Sequence, residues 1–189
     1  MKIISLKTID STSLELKRLL DNRVKLGSDS ILVIADTQTN GYGTHNRIWE
    51  SPKGNIYLSF NLKYERYEHL SYFISYALFE TIKFHISKKH NIHIKWPNDI
   101  MVDSLKIAGI LIEYYLEEYL IGIGVNLSVS PISTSTCIKN VLGENSLPSR
   151  AQFIETFIKN FEKNKAIIQQ KGFLAFKRKW KQATNNFKY

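Results

Sequence analysis

The 189-residue sequence predicts an α+β domain: a mixed, mainly antiparallel sheet with the helices grouped on one side. Two observations predict it. Between Ile92 and Tyr115 three short apolar strands follow one another with only tight polar turns between them, which is antiparallel connectivity. Helical periodicity is gathered into blocks, His69 to Lys88 and the stretch after Pro148, instead of alternating with strands as a doubly wound sheet requires.

Taken in order, Ile3 to Thr8 reads as a short strand. Thr12-Ser13-Leu14-Glu15 has the spacing of a capping box and predicts a helix to about Asn22. After Asp29-Ser30, Ile31 to Ala35 is an apolar strand that feeds a loop rich in Gly, Asn and Thr, and Ile56 to Leu62 is the returning strand. Leu70, Phe73, Ile74, Ala77, Leu78 and Ile82 recur at helical spacing, with His85 and His90 read as surface groups near the helix end. Ile92–Trp96, Ile100–Val102 and Ile107–Tyr115 are the next strands, and Tyr119–Leu127 is a fourth. Residues 128–147 are rich in Ser, Thr, Pro and Asn and read as a long mobile loop. Ser149 and Gln152 then cap a helix with Phe153, Phe157 and Phe161 on one face, ending at Gly172, and a short last helix carries Phe176 and Trp180.

Composition narrows the class. At 43% hydrophobic residues the chain has ample core for one domain over residues 1–189 without a staple. A single cysteine, Cys137, excludes an internal disulfide and points to a reducing compartment, the cytoplasm. No stretch approaches the roughly 20 apolar residues that span a membrane. The net charge of +9 is uneven: residues 150–189 hold 10 basic and 2 acidic side chains, leaving the rest of the chain near neutral. Such a tail is most often a solvated face; an acidic partner protein is the next reading and nucleic acid the last, since no helix-turn-helix pattern is present.

Two segments carry chemistry. Lys95-Trp96-Pro97-Asn98-Asp99 is a polar turn between strands, with Lys106 close behind it. An ammonium beside an apolar strand needs a partner, so two lysines around one carboxylate suggest an anion site, although satisfied surface lysines on a hairpin give the same pattern. In the second segment, Gly41 and Gly43 allow close backbone approach to a ligand, Arg47 offers a phosphate-binding fork and Trp49 an aromatic face suited to a purine.

Gln38-Thr39-x-Gly41-x-Gly43-x-x-Asn46-Arg47-x-Trp49, Lys95-Trp96-Pro97-Asn98-Asp99, Lys106-x-x-Gly109-Ile110-Leu111 and Gly122-Ile123-Gly124-Val125-Asn126, preceded by Asp10-Ser11-Thr12-Ser13, together resemble the catalytic domain of the biotin–protein ligases, over most of the chain. The resemblance implies the biotin–lipoate ligase catalytic fold, similar to class II aminoacyl-tRNA synthetases. It implies ATP-dependent ligation of biotin, through biotinyl-5'-AMP, to a lysine of a biotin carboxyl carrier protein, with ATP, biotin and Mg²⁺ as small-molecule requirements. Lys95, Lys106, Arg47 and Asp99 take the catalytic positions. Biotin is expected at Ser11, Thr12, Ser13, Gln38, Gly41, Tyr42, Gly43, Thr44, Lys95, Gly109 and Leu111. ATP is expected at Arg47, Trp49, Asn98, Lys106 and Asn126, with no dedicated protein ligands for a metal. Capping of a helix is the plain role of Ser11 and Thr12, and the two roles are compatible.

Relatives often carry an N-terminal DNA-binding domain and a small C-terminal barrel; both are expected to be absent, and a homodimer is compatible with the resemblance. The chain departs from its relatives at Tyr42 and Thr44, where they commonly have arginine. Weaker hold on the adenylate is the expected consequence, which the adenylate dissociation rate of Thr44→Arg would test. A lipoate or octanoate ligase on the same scaffold and a non-catalytic biotin-binding homologue are the alternatives.

Overall fold

A computed structural model describes residues 2–22, 30–86, 90–142 and 147–184. The sheet has seven strands: β1 (Lys2–Ile9), β2 (Ile31–Gln38), β3 (Ile56–Leu62), β4 (Ile92–Lys95), β5 (Asp99–Val102), β6 (Leu105–Tyr115) and β7 (Glu118–Val125), in spatial order β1-β2-β3-β7-β6-β5-β4. Only β1 and β2 pair in parallel; every other neighbour is antiparallel. The α+β class and the mainly antiparallel sheet are those the sequence predicts.

The grouping of helices needs one correction. α2 (Tyr67–His85), α4 (Arg150–Lys171) and α5 (Phe173–Thr184) share a face of the sheet, but α1 (Thr12–Asp21) crosses the other face. A parallel pair cannot be closed by a tight turn, so the β1–β2 connection must cross over a face, and α1 makes that crossing. Strand alternation then separates two cores: Leu32, Leu58 and Ile121 point toward α2 and α4, whereas Ile31, Val33 and Leu120 meet Leu16 and Leu20 of α1. On the larger side Leu70, Phe73, Ile74, Ala77, Leu78 and Ile82 of α2 are fully buried, as their spacing requires. Phe153, Phe157 and Phe161 of α4 close over them, the last meeting Phe60 edge-on at 5.5 Å. Burial of each such side chain contributes about 1.5–3 kcal/mol.

The ends of the helices differ in detail. Ser149 and Gln152 form the expected capping box, and Gly172 closes α4 at φ 77. For α1 the cap is Ser11, one residue earlier than the capping-box spacing suggests; its hydroxyl accepts from the Ser13 amide while Glu15 pairs with Arg18. α2 ends at His85 and Ile86 is already extended at φ −106 and ψ 142, so the helix stops short of the expected Lys88; residues 87–89 lie outside the described residues. His85 is not a dipole-stabilised surface cation: its ring stacks on Phe153 at 5.5 Å and burial pulls its pKa down.

Residues 128–142 are also more ordered than a mobile loop. Ser135 bridges to Lys106 beside β6, Thr136 donates its amide to the Lys106 carbonyl, Cys137 is buried, and α3 (Ile138–Leu142) follows. The turn into this segment is held by Asn55, whose side-chain oxygen accepts the amides of Leu127, Ser128 and Val129.

Candidate active site

The site lies on the α1 side of the sheet, and strand register explains why a cavity opens there. Tyr57 of β3 pairs with Gly124 of β7, Gly124 with Gly109 of β6, Gly109 with Asp99 of β5 and Asp99 with Lys95 of β4. The next row on the same face runs Ser59, Gly122, Leu111. Three glycines in two adjacent rows leave a trough where a β-branched sheet would be filled. Its fill is specific: a Cβ on Gly124 would stand 2.4 Å from the Trp49 indole, one on Gly109 2.9 Å from the same ring, and one on Gly122 2.9 Å from the Ser13 hydroxyl. The resulting cavity is about 440 Å³, within the range of small-molecule sites.

One end is polar and preorganised by α1. Gln38 at the end of β2 turns its side-chain oxygen to the Thr12 amide (2.8 Å) and hydroxyl (3.0 Å) and its side-chain nitrogen to the Ser51 hydroxyl (2.9 Å). Thr12 and Ser13 both meet the Ser59 hydroxyl, at 2.8 and 3.0 Å. The backbone amides of Ser11, Thr12 and Ser13 already have acceptors in Asp10, Gln38 and Ser11, so this helix start presents side chains more than free N–H groups.

The other wall is the Gly41–Trp49 hairpin. It closes on itself through Trp49 N–H to Gly41 O (2.9 Å) and Gly43 N–H to Arg47 O (2.8 Å), and turns over a 3-10 segment, Thr44–Asn46, in which His45 and Asn46 have positive φ. Gly41 is packed too tightly for any side chain, since a Cβ there would lie 2.6 Å from both the Ser51 hydroxyl and the Trp49 carbonyl. The Asn98 amide reaches the Thr44 hydroxyl at 3.5 Å, so the hairpin meets the turn that follows the cis Trp96–Pro97 peptide.

Lys106 and Asp99 face each other across β5 and β6, with Lys106 Nζ 2.7 Å from Asp99 Oδ1 and 5.0 Å from the centre of the Trp49 ring. Arg47, Trp49, Asn98, Asp99 and Lys106 therefore surround one space with Ser11, Thr12, Ser13, Gln38, Tyr42, Gly43, Thr44, Gly109 and Leu111. Three residues named from the sequence stand apart from the lining. Lys95 is the register partner of Asp99 on the outermost strand and is exposed. Gly41 supports the hairpin from within. Asn126 is buried and its amide donates to Thr136 O (3.1 Å), so it fastens the 128–137 segment. Conversely, Ile48, Tyr57 and Ile132 line the cavity without having been singled out; Tyr57 donates to Pro52 O at 2.7 Å and burial pushes its phenol up to about 12.

The family model for the biotin/lipoate A/B protein ligase family matches residues 6–130. The chain belongs to this family. The matched segment begins in β1 and ends beyond β7, taking in every residue that lines the cavity except Ile132. Among curated relatives, Biotin--protein ligase 2 of Arabidopsis thaliana is 34% identical over 153 residues, 74% of this chain and 46% of that protein. The bifunctional ligase/repressor BirA of Bacillus spizizenii is 30% identical over 187 residues, 91% of this chain and 56% of its own. The chain thus spans about half the length of these curated relatives. Among solved structures, the biotin protein ligase of Aquifex aeolicus in complex with biotin and ATP superposes with a TM-score of 0.84 at 26% identity, covering 97% of this chain and 78% of that one.

Proposed function

We propose that the protein is an ATP-dependent biotin–protein ligase, joining biotin to a lysine of a biotin carboxyl carrier protein by way of biotinyl-5'-AMP. The observation that carries the reading is a single cavity that unites the polar Thr12–Gln38 end with the Lys106–Asp99 pair and the Trp49 ring. Relatives named as biotin ligases, and a similar structure holding both biotin and ATP, support the choice of substrates. The octanoate and lipoate alternative has no comparable support among those relatives.

In the first step a biotin carboxylate oxygen attacks the α-phosphorus of ATP, forming the acyl–phosphate bond as pyrophosphate leaves. Two anions must approach, so the site must offset their repulsion and the charge gathering on phosphorus. Lys106 takes this role, supported by its contacts with Asp99 and the Trp49 ring; at rest its charge is matched by Asp99, and an arriving phosphoryl group would take over that contact. Arg47, exposed at the rim, holds phosphate oxygens, and Trp49 offers its face to adenine. The part of the trough at Gly122 and Leu111 takes the apolar part of biotin, with Thr12, Ser13 and Gln38 directed at its ureido ring. In the second step the acceptor ε-amine attacks the acyl carbon, AMP leaves and an amide forms. Lys95, exposed and the register partner of Asp99, would meet either a phosphate or the incoming carrier domain.

Among the described residues no group of three or more His, Cys, Asp and Glu is arranged to hold a metal. Asp99, the one carboxylate of the lining, is already paired with Lys106. That donor set suits Mg²⁺ carried on the ATP phosphates, where it would neutralise triphosphate charge without a dedicated protein ligand. Among the described residues no helix is long and apolar enough to cross a membrane, and the free thiol of Cys137 fits a reducing compartment such as the cytoplasm. The test is to incubate the protein with biotin and Mg-ATP and identify the bound product by mass spectrometry. Biotinyl-5'-AMP is expected; biotin bound without adenylate would leave a binding protein instead.

A further inference from the structure

We infer that Tyr42 is a positioning residue of this site: with Glu113 and Lys17 it forms a latch that holds the Gly41–Trp49 hairpin against the body of the domain. The inference rests on the ligase reading for its catalytic consequence, but its geometry is independent of it. Tyr42 sits on the inner limb of the hairpin, bridged to Ile48 on the outer limb. Its hydroxyl leaves the hairpin and donates to Glu113 Oε2 of β6 at 2.9 Å. Lys17 of α1 donates to the other carboxylate oxygen at 2.8 Å and lies 3.4 Å from the Tyr42 hydroxyl. All three side chains are half-buried, so the contact is shielded from water in a way a surface ion pair is not.

The latch joins the three elements that wall the cavity. The hairpin carries Arg47 and Trp49, β6 carries Lys106, Gly109 and Leu111, and α1 carries Ser11, Thr12 and Ser13 at its start. Between the hairpin tip and the turn at Asn98 there is the 3.5 Å Asn98–Thr44 contact, at the limit of hydrogen bonding. The Tyr42–Glu113 bond is shorter and has an ionised acceptor, so it dominates. Charge bookkeeping inside the latch is closed. Burial alone would lower the Lys17 pKa, but the hydrogen bond and charge of Glu113 outweigh it and leave the ammonium raised; burial, with Glu113 beside it, pushes the Tyr42 phenol up and keeps it a donor.

A held hairpin keeps Trp49 and Arg47 on the ligand and keeps water from the mixed anhydride. Tyr42→Phe removes the donor and keeps the ring; Glu113→Gln removes the charge and keeps the shape. In the ligand-free protein, trypsin cleavage after Arg47 should accelerate about tenfold in Tyr42→Phe, the scale of one charge-assisted hydrogen bond. Release of preformed biotinyl-5'-AMP should quicken by a similar factor, with a smaller change in kcat than in the ATP KM. The double variant should be no worse than the more impaired single one, because both remove the same bond. Melting temperatures should move little, which separates a latch from a general packing role. An unchanged rate of cleavage after Arg47 in Tyr42→Phe, or fully additive effects in the double variant, would overturn the latch. If the wild type makes no adenylate the ligase reading falls, while the cleavage experiment still decides the latch.

Discussion

At the scale of single residues, the site depends on one cation and two absences. Lys106 is the charged side chain that both pairs with Asp99 and lies over Trp49. Lys106→Ala is expected to lower biotin-dependent pyrophosphate release by at least about a hundredfold, the loss seen when one preorganised charge stabiliser is removed. Activity within a few-fold of wild type, measured by steady-state pyrophosphate release, would make it an ordinary strand lysine. Gly109 and Gly124 face each other in register so that an indole can lie on bare backbone. Gly124→Ala should drive Trp49 off that floor and raise the ATP KM by roughly tenfold, one lost aromatic contact, with the fold retained. An unaltered KM in the same assay would detach Trp49 from the nucleotide.

At the scale of elements, the hairpin is where structure and chemistry meet. It is tied down by Tyr42 yet built from glycines and small polar residues with few apolar contacts, so its remaining motion should be quenched by substrates. Tryptic cleavage after Arg47 should therefore slow further when biotin and ATP are added together; equal rates with and without them would rule out closure over the ligand. This element was the most legible in the sequence, since Gly41, Gly43, Arg47 and Trp49 announce both a close backbone approach and a ligand. β3 was less so. Ile56, Leu58, Phe60 and Leu62 alternate with Tyr57, Ser59 and Asn61, which separates two faces, but both faces are buried and the pattern does not report which side chain borders the cavity. Asn126 and Lys95 show the opposite limit: their positions in a motif were visible, but not that one amide is consumed by Thr136 or that one ammonium sits on the outermost strand. Residues 128–142 misled for a related reason, because their pairing with Lys106 uses backbone groups that side-chain composition does not report.

At the scale of the molecule, α1 on one face and three helices on the other leave the sheet with a chemical side and a structural side. The basic excess of residues 150–184 lies on the structural side, in α4 and α5. Of the four cations on the last helix, Lys177 is packed over Tyr72 at 5.4 Å, whereas Arg178, Lys179 and Lys181 are exposed. Reversing those three to glutamate should slow transfer to an acidic carrier domain while sparing adenylate synthesis. The defect should shrink as salt rises, since charge attraction is screened beyond about 8–10 Å. Separate rates for the two half-reactions check this: a joint fall would make α5 structural, and no change would make its charges a solvated face. The central property proposed for the molecule is that its cavity activates biotin with ATP. Isotope exchange between pyrophosphate and ATP tests it most directly, run with biotin and, separately, with lipoate and octanoate. Exchange that requires biotin and is not supported by the other two acids is the predicted result; exchange driven by lipoate or octanoate, or none with biotin, would contradict it.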